Sequence, residues 1–238
     1  GTSPRYVHRC ADLDEFLALD IPRPEDNPRL RERARAVARF TAAARKLGVT
    51  LPVRKADSLH VHPPLSFLCA VIDPVVVCTA MFTEPDKLRA ALDKCFAAFL
   101  AYREIGLADP KSVTALGLAD DNISFISGES FRQWQMPYYL KLKERYSLKS
   151  FSLHTDGPND QHFRILAEEV GLTSMDIGGF SDLANAVRDM KGKVHIYGGL
   201  NCKDFYGTGP LSDAARRKAL AALRLAGPGG GFELAIGG

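Results

Sequence analysis

Apolar residues along this chain follow two alternating rhythms. Short runs rich in β-branched and aliphatic residues occupy 51–62, 113–118, 149–154, 173–177, 194–199 and 231–236. Between them apolar positions recur at helical spacing, and the ends of those stretches carry cap residues. Asn27-Pro28 predicts a helix start and Gly48 its stop. A second helix runs from near Pro85 to Gly106. A third follows Ser127 and carries Phe131, Trp134, Tyr138 and Tyr139, with Pro137 predicting a kink. Further helices are predicted at 159–170, 181–191 and 211–226, stopped by Gly171, Gly192 and Gly227. Residues 1–27 read as irregular apart from the amphipathic piece Leu13 to Leu19.

Strict alternation of strand and helix is the pattern of βαβ units and a parallel sheet. An open doubly wound sheet would place a glycine-rich phosphate loop after its first strand. Val61-His62-Pro63-Pro64 is not such a loop. A (β/α)8 barrel instead places site residues at the ends of many strands, as this chain does. The pattern therefore predicts an α/β barrel of a single domain over 1–238. Only strands three to eight are legible, and the first two strands and last helix are not.

Charge and cysteine usage narrow the function. A net charge of +3 is too small to argue for nucleic acid. The basic helix from Arg29 to Lys46 reads as a solvated face. The apolar stretch Leu65 to Phe82 is broken by Asp73-Pro74, which argues against a membrane span. Cys10, Cys69, Cys78, Cys95 and Cys202 form no C-x-x-C pair, and Gly1 to Cys10 holds no hydrophobic signal region. Reduced thiols in a cytoplasmic protein are expected.

In a parallel fold all strand C-termini point one way, so the clusters at those ends converge. His154-Thr-Asp156 is the sharpest. Alternation by two puts imidazole and carboxylate on one side, where they suit a metal or proton transfer. The bland alternative is a structural hydrogen bond. His60-Val-His62 has the same spacing, and a structural role is the favoured reading there. Asp120 and Asp121 are candidates for base, ligand or helix cap. Asp176 and Asn201 end two further strands, and Cys202 is either a thiolate or a buried thiol. The glycine pairs Gly178-Gly179, Gly198-Gly199 and Gly237-Gly238 lean towards a ligand wall rather than plain turns.

Four stretches carry a family resemblance. They are Asp121 to Tyr138, Leu153-His154-Thr-Asp156-Gly157, Tyr197-Gly-Gly-Leu-Asn201, and Gly227 to Phe232 followed by Gly237. Together, over about residues 50–238, they resemble the uroporphyrinogen decarboxylase superfamily, whose fold is a (β/α)8 barrel. The resemblance implies one of two chemistries. One is methyl transfer between a corrinoid protein and a thiol, folate or methoxylated compound. The other is decarboxylation of uroporphyrinogen acetate groups without a cofactor. In the thiol enzymes zinc sits on a motif like His-x-Cys-Gly. His154 matches that histidine, and Asp156 stands in place of the cysteine, which favours a harder ion or zinc with carboxylate.

The arginine-rich loop of the decarboxylases and their final histidine are not found, so a methyltransferase-like member is the preferred reading. It implies a corrinoid carried by a partner protein, zinc as candidate metal on His154 and Asp156, and a small methyl donor or acceptor. Catalytic roles fall to Asp120, Asp121, His154 and Asp156. Binding roles fall to His60, His62, Asp176, Gly178, Gly198, Gly199, Asn201 and Gly237. A homodimer is the candidate self-assembly. A non-catalytic fragment, or a subunit completed by another chain, is the reading from another class.

Overall fold

The computed structural model describes residues 8–49, 57–105, 107, 109–205 and 212–237. Six strands form one sheet in chain order: β1 (Ser58–Val61), β2 (Ala115–Ala119), β3 (Ser150–His154), β4 (Ser174–Asp176), β5 (His195–Asn201) and β6 (Phe232–Gly237). Every neighbouring pair is parallel. Six parallel strands in sequence order, each linked through helices, are part of a (β/α) barrel, unclosed among the described residues. The predicted run 51–62 begins in residues outside those described, and its strand covers Ser58–Val61.

Alternation sorts the strand residues between two faces. Leu116, Leu118, Phe151, Leu153, Met175, Ile177, Ile196 and Leu200 are buried. All but Leu200 belong to one continuous core shared with the surrounding helices. The register aligns the other face in rows. His60, Gly117, Ser152, Ser174 and His195 form one row, and Ala119, His154, Asp176, Tyr197 and Glu233 the next. A parallel sheet buried on both sides would be apolar throughout. This inner face instead carries polar side chains from β3, β4 and β5 beside the small residues Gly117 and Ala119 of β2.

The helices before the sheet are α1 (Leu13–Ala18) and α2 (Pro28–Lys46). Lys94 fastens α1 by donating to the carbonyls of Phe16, Leu17 and Leu19 at its C-terminus. The stretch Leu65 to Phe82 is two helices, α3 (Pro64–Val71) and α4 (Pro74–Thr83), bent by 118°. Asp73 makes the break: its side chain accepts from the Val75 N–H at 2.8 Å, and Pro74 takes the first helical position. Among the described residues no single helix is long and apolar enough to cross a membrane. Next comes α5 (Pro85–Arg103); the predicted stop, Gly106, lies outside the described residues.

Pro137 divides the third predicted helix into α6 (Gly128–Trp134) and α7 (Met136–Arg145), with Gln135 at the joint. A proline in a helix leaves the carbonyl four residues back without its usual donor. That carbonyl belongs to Gln133, and the Arg89 guanidinium bonds it at 2.8 Å while lying 4.5 Å from the Trp134 ring centre. The predicted helix 159–170 is a 3-10 turn (Asp160–His162), a short α8 (Phe163–Ile165) and a π turn (Leu166–Val170), closed by Gly171. The last two helices are α9 (Leu183–Met190) and α10 (Asp213–Ala226), capped by Asp182 and Ser212.

Candidate functional site

His154 ends β3 on the inner face, and its register partner Asp176 ends β4. The two side chains meet at 2.8 Å, His154 Nδ1 to Asp176 Oδ2. Asp176 is itself held, since its Oδ1 accepts the Gly178 N–H at 3.0 Å. A carboxylate at Nδ1 fixes the imidazole orientation and directs Nε2 outward. Nε2 then stands 3.6 Å from Asp156 Oδ1. Asp121 completes the group: its Oδ1 accepts the Asp156 N–H at 2.9 Å. Among the described residues, one ligand atom from each of Asp121, His154 and Asp156 lies within 4.8 Å of the others.

Burial alone would lower the His154 pKa. The Asp176 hydrogen bond and the charges of Asp156, Asp176 and Asp121 outweigh it, and the pKa is raised. One imidazole among three carboxylates calls for positive charge, as a proton or as a metal ion. The donor set fits an ion: ligands of a tetrahedral zinc at about 2.0–2.1 Å stand roughly 3.4 Å apart, close to the 3.6 Å between His154 and Asp156. Asp121 offers a third ligand atom within 4.8 Å of the other two.

Loop packing explains why these ends converge. A side chain on Gly157 would lie 2.4 Å from Ser124, so only glycine lets the turn after β2 meet the loop after β3. Asn159, fully buried, ties that loop by donating to Thr155 Oγ1 and the Gly157 carbonyl, each at 2.6 Å. His162, also buried, meets the Ile123 carbonyl at 2.8 Å. Neither residue was legible as a site support, because both fall at the start of the predicted helix 159–170, where nothing local shows which distant loop they will meet.

Asp120 departs from expectation. It was expected to open with its neighbour onto the shared cavity, yet it is fully buried on the helix side. Ser66 Oγ donates to it at 2.5 Å and Tyr139 OH at 2.8 Å, and Gln135 Nε2 also donates. Burial pushes its pKa up to about 6 against the pull of those donors. The strand's alternation is the reason: Leu116, Leu118 and Asp120 share a face, and Asp121 begins the next turn.

The remaining candidates scatter. His60 lies on the inner face over Gly117, whose missing side chain leaves its imidazole room. His62 is beyond the strand, exposed, and lines a cavity of about 460 Å³ together with His8, Ser66, Asp121, Asn122 and others. The two histidines do not belong to the converging group. Asn201 donates to the Gly179 carbonyl at 3.1 Å and accepts from the Lys203 N–H, so it braces a loop. Gly178, Gly179 and Gly237 pack against one another's backbone, and the space beside Gly199 is filled by Leu183, Phe232 and Ala222. Gly198 faces Ile177 and Gly178. These glycines permit close backbone approach between loops; Gly238 lies outside the described residues. Tyr197 and Glu233 share the row of His154 and Asp176 and were not singled out in the sequence, although the alternation of β5 and β6 carries that signal.

Residues 1–234 match the family model for uroporphyrinogen decarboxylase (URO-D). The chain belongs to the URO-D family. The structure is similar to a methyltransferase from Methanosarcina mazei, with a TM-score of 0.62 at 17% identity over 97% of this chain. This URO-D chain spans 64% of that protein's length. At such identity the likeness is one of fold, and it agrees with the barrel reading of the six strands. No curated protein matches the URO-D chain in sequence.

Proposed function

We propose that this URO-D family chain is an enzyme of methyl transfer, moving a methyl group between a corrinoid held on a partner protein and a small thiol, folate or methoxylated compound. The observation that carries the reading is the Asp176–His154 pair with Asp156 and Asp121 beyond it. Asp176 would hold the imidazole in one tautomer. Asp121, His154 and Asp156 would hold the ion, zinc or a harder divalent metal. When bound, such an ion supplies Lewis acidity, lowering the pKa of a thiol or hydroxyl acceptor. The chain's own part is to hold that ion and to orient the acceptor at the ends of β2 and β3.

The cavity beside Asp121 favours this reading over decarboxylation of uroporphyrinogen. A substrate bearing several carboxylates needs cationic partners. The described lining residues are His8, His62, Ser66, Phe67, Cys69, Ala70, Pro74, Asp121, Asn122 and Phe125, with no arginine or lysine among them.

The test is metal analysis of full-length protein purified without chelator, followed by titration with methylcobalamin and thiol or tetrahydrofolate acceptors. Stoichiometric metal and demethylation of the corrinoid are expected. Metal-free protein that turns over uroporphyrinogen and leaves methylcobalamin intact would sink the proposal.

A further inference from the structure

The cavity at Asp121 does not end at its polar wall. A second hollow of about 540 Å³ adjoins it, lined by Pro74, Val75, Cys78, Thr79, Phe82, Thr83 and Phe125. Pro74 and Phe125 belong to both. The first hollow carries His62, Ser66, Asp121 and Asn122, and the second carries no charged side chain at all. Two of its polar side chains are already engaged or muted. Thr83 Oγ1 donates to the Thr79 carbonyl. Burial pushes the Cys78 thiol up, so it stays neutral. Asp73, at the near end, is bound to the Val75 N–H.

The helix explains the exposure. In α4 both sides are apolar. Val77, Ala80 and Met81 go into the core, which leaves Val75, Cys78, Thr79 and Phe82 along a second face at helical spacing. Val75 is 72% exposed, Phe82 81% and, across the hollow, Phe125 63%. Apolar surface left open beside a polar site marks a place where something apolar binds. Both hollows fall within the size range of small-molecule sites.

We propose that the joined cleft takes an amphipathic small molecule, its polar reacting head beside Asp121 and its uncharged alkyl or aryl body along α4 between Val75, Phe82 and Phe125. This deepens the proposed function and rests on Asp121, His154 and Asp156 being the reacting centre. Continuity of the two hollows selects this occupant: a body anchored on α4 passes Phe125 and Pro74 before its head reaches Asp121. A wholly charged ligand would leave its charge unpaired against the α4 wall.

The test is calorimetry of full-length protein, without corrinoid, against straight-chain alkanethiols from butyl to octyl. Each added methylene should tighten Kd about fourfold. The variants Val75→Asp and Phe82→Ser, at exposed positions that leave the core intact, should flatten that series while short thiols bind as before. A series flat in the wild type, or one unchanged in both variants, overturns the proposal. So does a flat series with Val75 and Phe82 protected from solvent by a corrinoid protein or a second copy of the chain. Tightening along the series, with methylcobalamin left intact by both thiols and tetrahydrofolate in the separate titration, would remove the proposed function and leave the amphipathic site standing. Transfer to short thiols with a flat series would do the reverse.

Discussion

Asp120 and Asp121 are consecutive in the chain and have opposite surroundings. Asp120 is closed off behind the sheet, saturated by Ser66, Gln135 and Tyr139, with its pKa raised to about 6 by burial. Asp121 opens to the cavity, bonds a backbone N–H of the next loop and stands beside His154 and Asp156. A one-residue step at a strand end thus separates a structural carboxylate from one able to meet a ligand. What decides it is the side of the sheet, and the polar helix residues waiting on the far side. Gln135 is there because Pro137 breaks the helix at that point.

The comparison predicts different failures for the two residues. Asp120→Ala should cost about 3 kcal/mol of stability by urea denaturation, because it leaves buried donors on Gln135 and Tyr139 unmatched. Asp121→Ala should change stability by no more than about 0.5 kcal/mol while lowering bound metal and methyl transfer. Equal stability losses in the two variants would erase the distinction. His154→Ala should remove bound metal and activity together without unfolding the protein. Next in size is Asp176→Asn, which touches no ion directly. It should weaken metal binding about 10–100-fold by loosening the imidazole. Unchanged metal affinity in that variant would show that Asp176 does not orient His154.

Alternation at strand ends made His154, Asp156 and Asp176 legible, since a period of two fixes which side chains share a face. The barrel was legible for a similar reason: strand and helix rhythms alternate without interruption. What stayed hidden depends on contacts between distant segments. Nothing local says that Asp120 will find Gln135 and Tyr139, because the helix break that turns Gln135 inward only gains meaning once α7 packs on β2. The glycine pairs looked like a ligand wall because three strand ends repeat them. The structure uses Gly178, Gly179 and Gly237 to bring neighbouring backbones together. Leu65 to Phe82 read as one interrupted apolar run, and the capping geometry of Asp73 makes it two helices around a corner.

A smaller effect follows from the titration of Asp120. Its folded pKa of about 6 lies above its ordinary value of 3.8. Between those values the native state holds the proton that the unfolded chain has released. Stability from this group is therefore full below the lower value and falls as pH rises through the upper one. Denaturation across pH 4–7 should show that decline in the wild type relative to Asp120→Asn, which cannot titrate. His154, whose pKa is also raised, is present in both proteins and cancels in the difference. A difference that does not change with pH would mean that Asp120 keeps an ordinary pKa in the fold.

The smallest predicted effect sharpens the same point. Tyr139→Phe removes one donor to Asp120 and keeps the ring, which packs edge-on against Phe131 at 5.5 Å between centres. The loss should be about 1 kcal/mol near neutral pH, the usual net value of a buried hydrogen bond. It should shrink towards pH 4, where a protonated Asp120 needs fewer donors. The hydroxyl holds the Asp120 pKa down, so its removal should also move the midpoint of the decline to higher pH. Losses equal at pH 4 and pH 8 would show that Tyr139 serves the packing and not the charge. In that case the buried half of the Asp120–Asp121 comparison would rest on Ser66 and Gln135 alone.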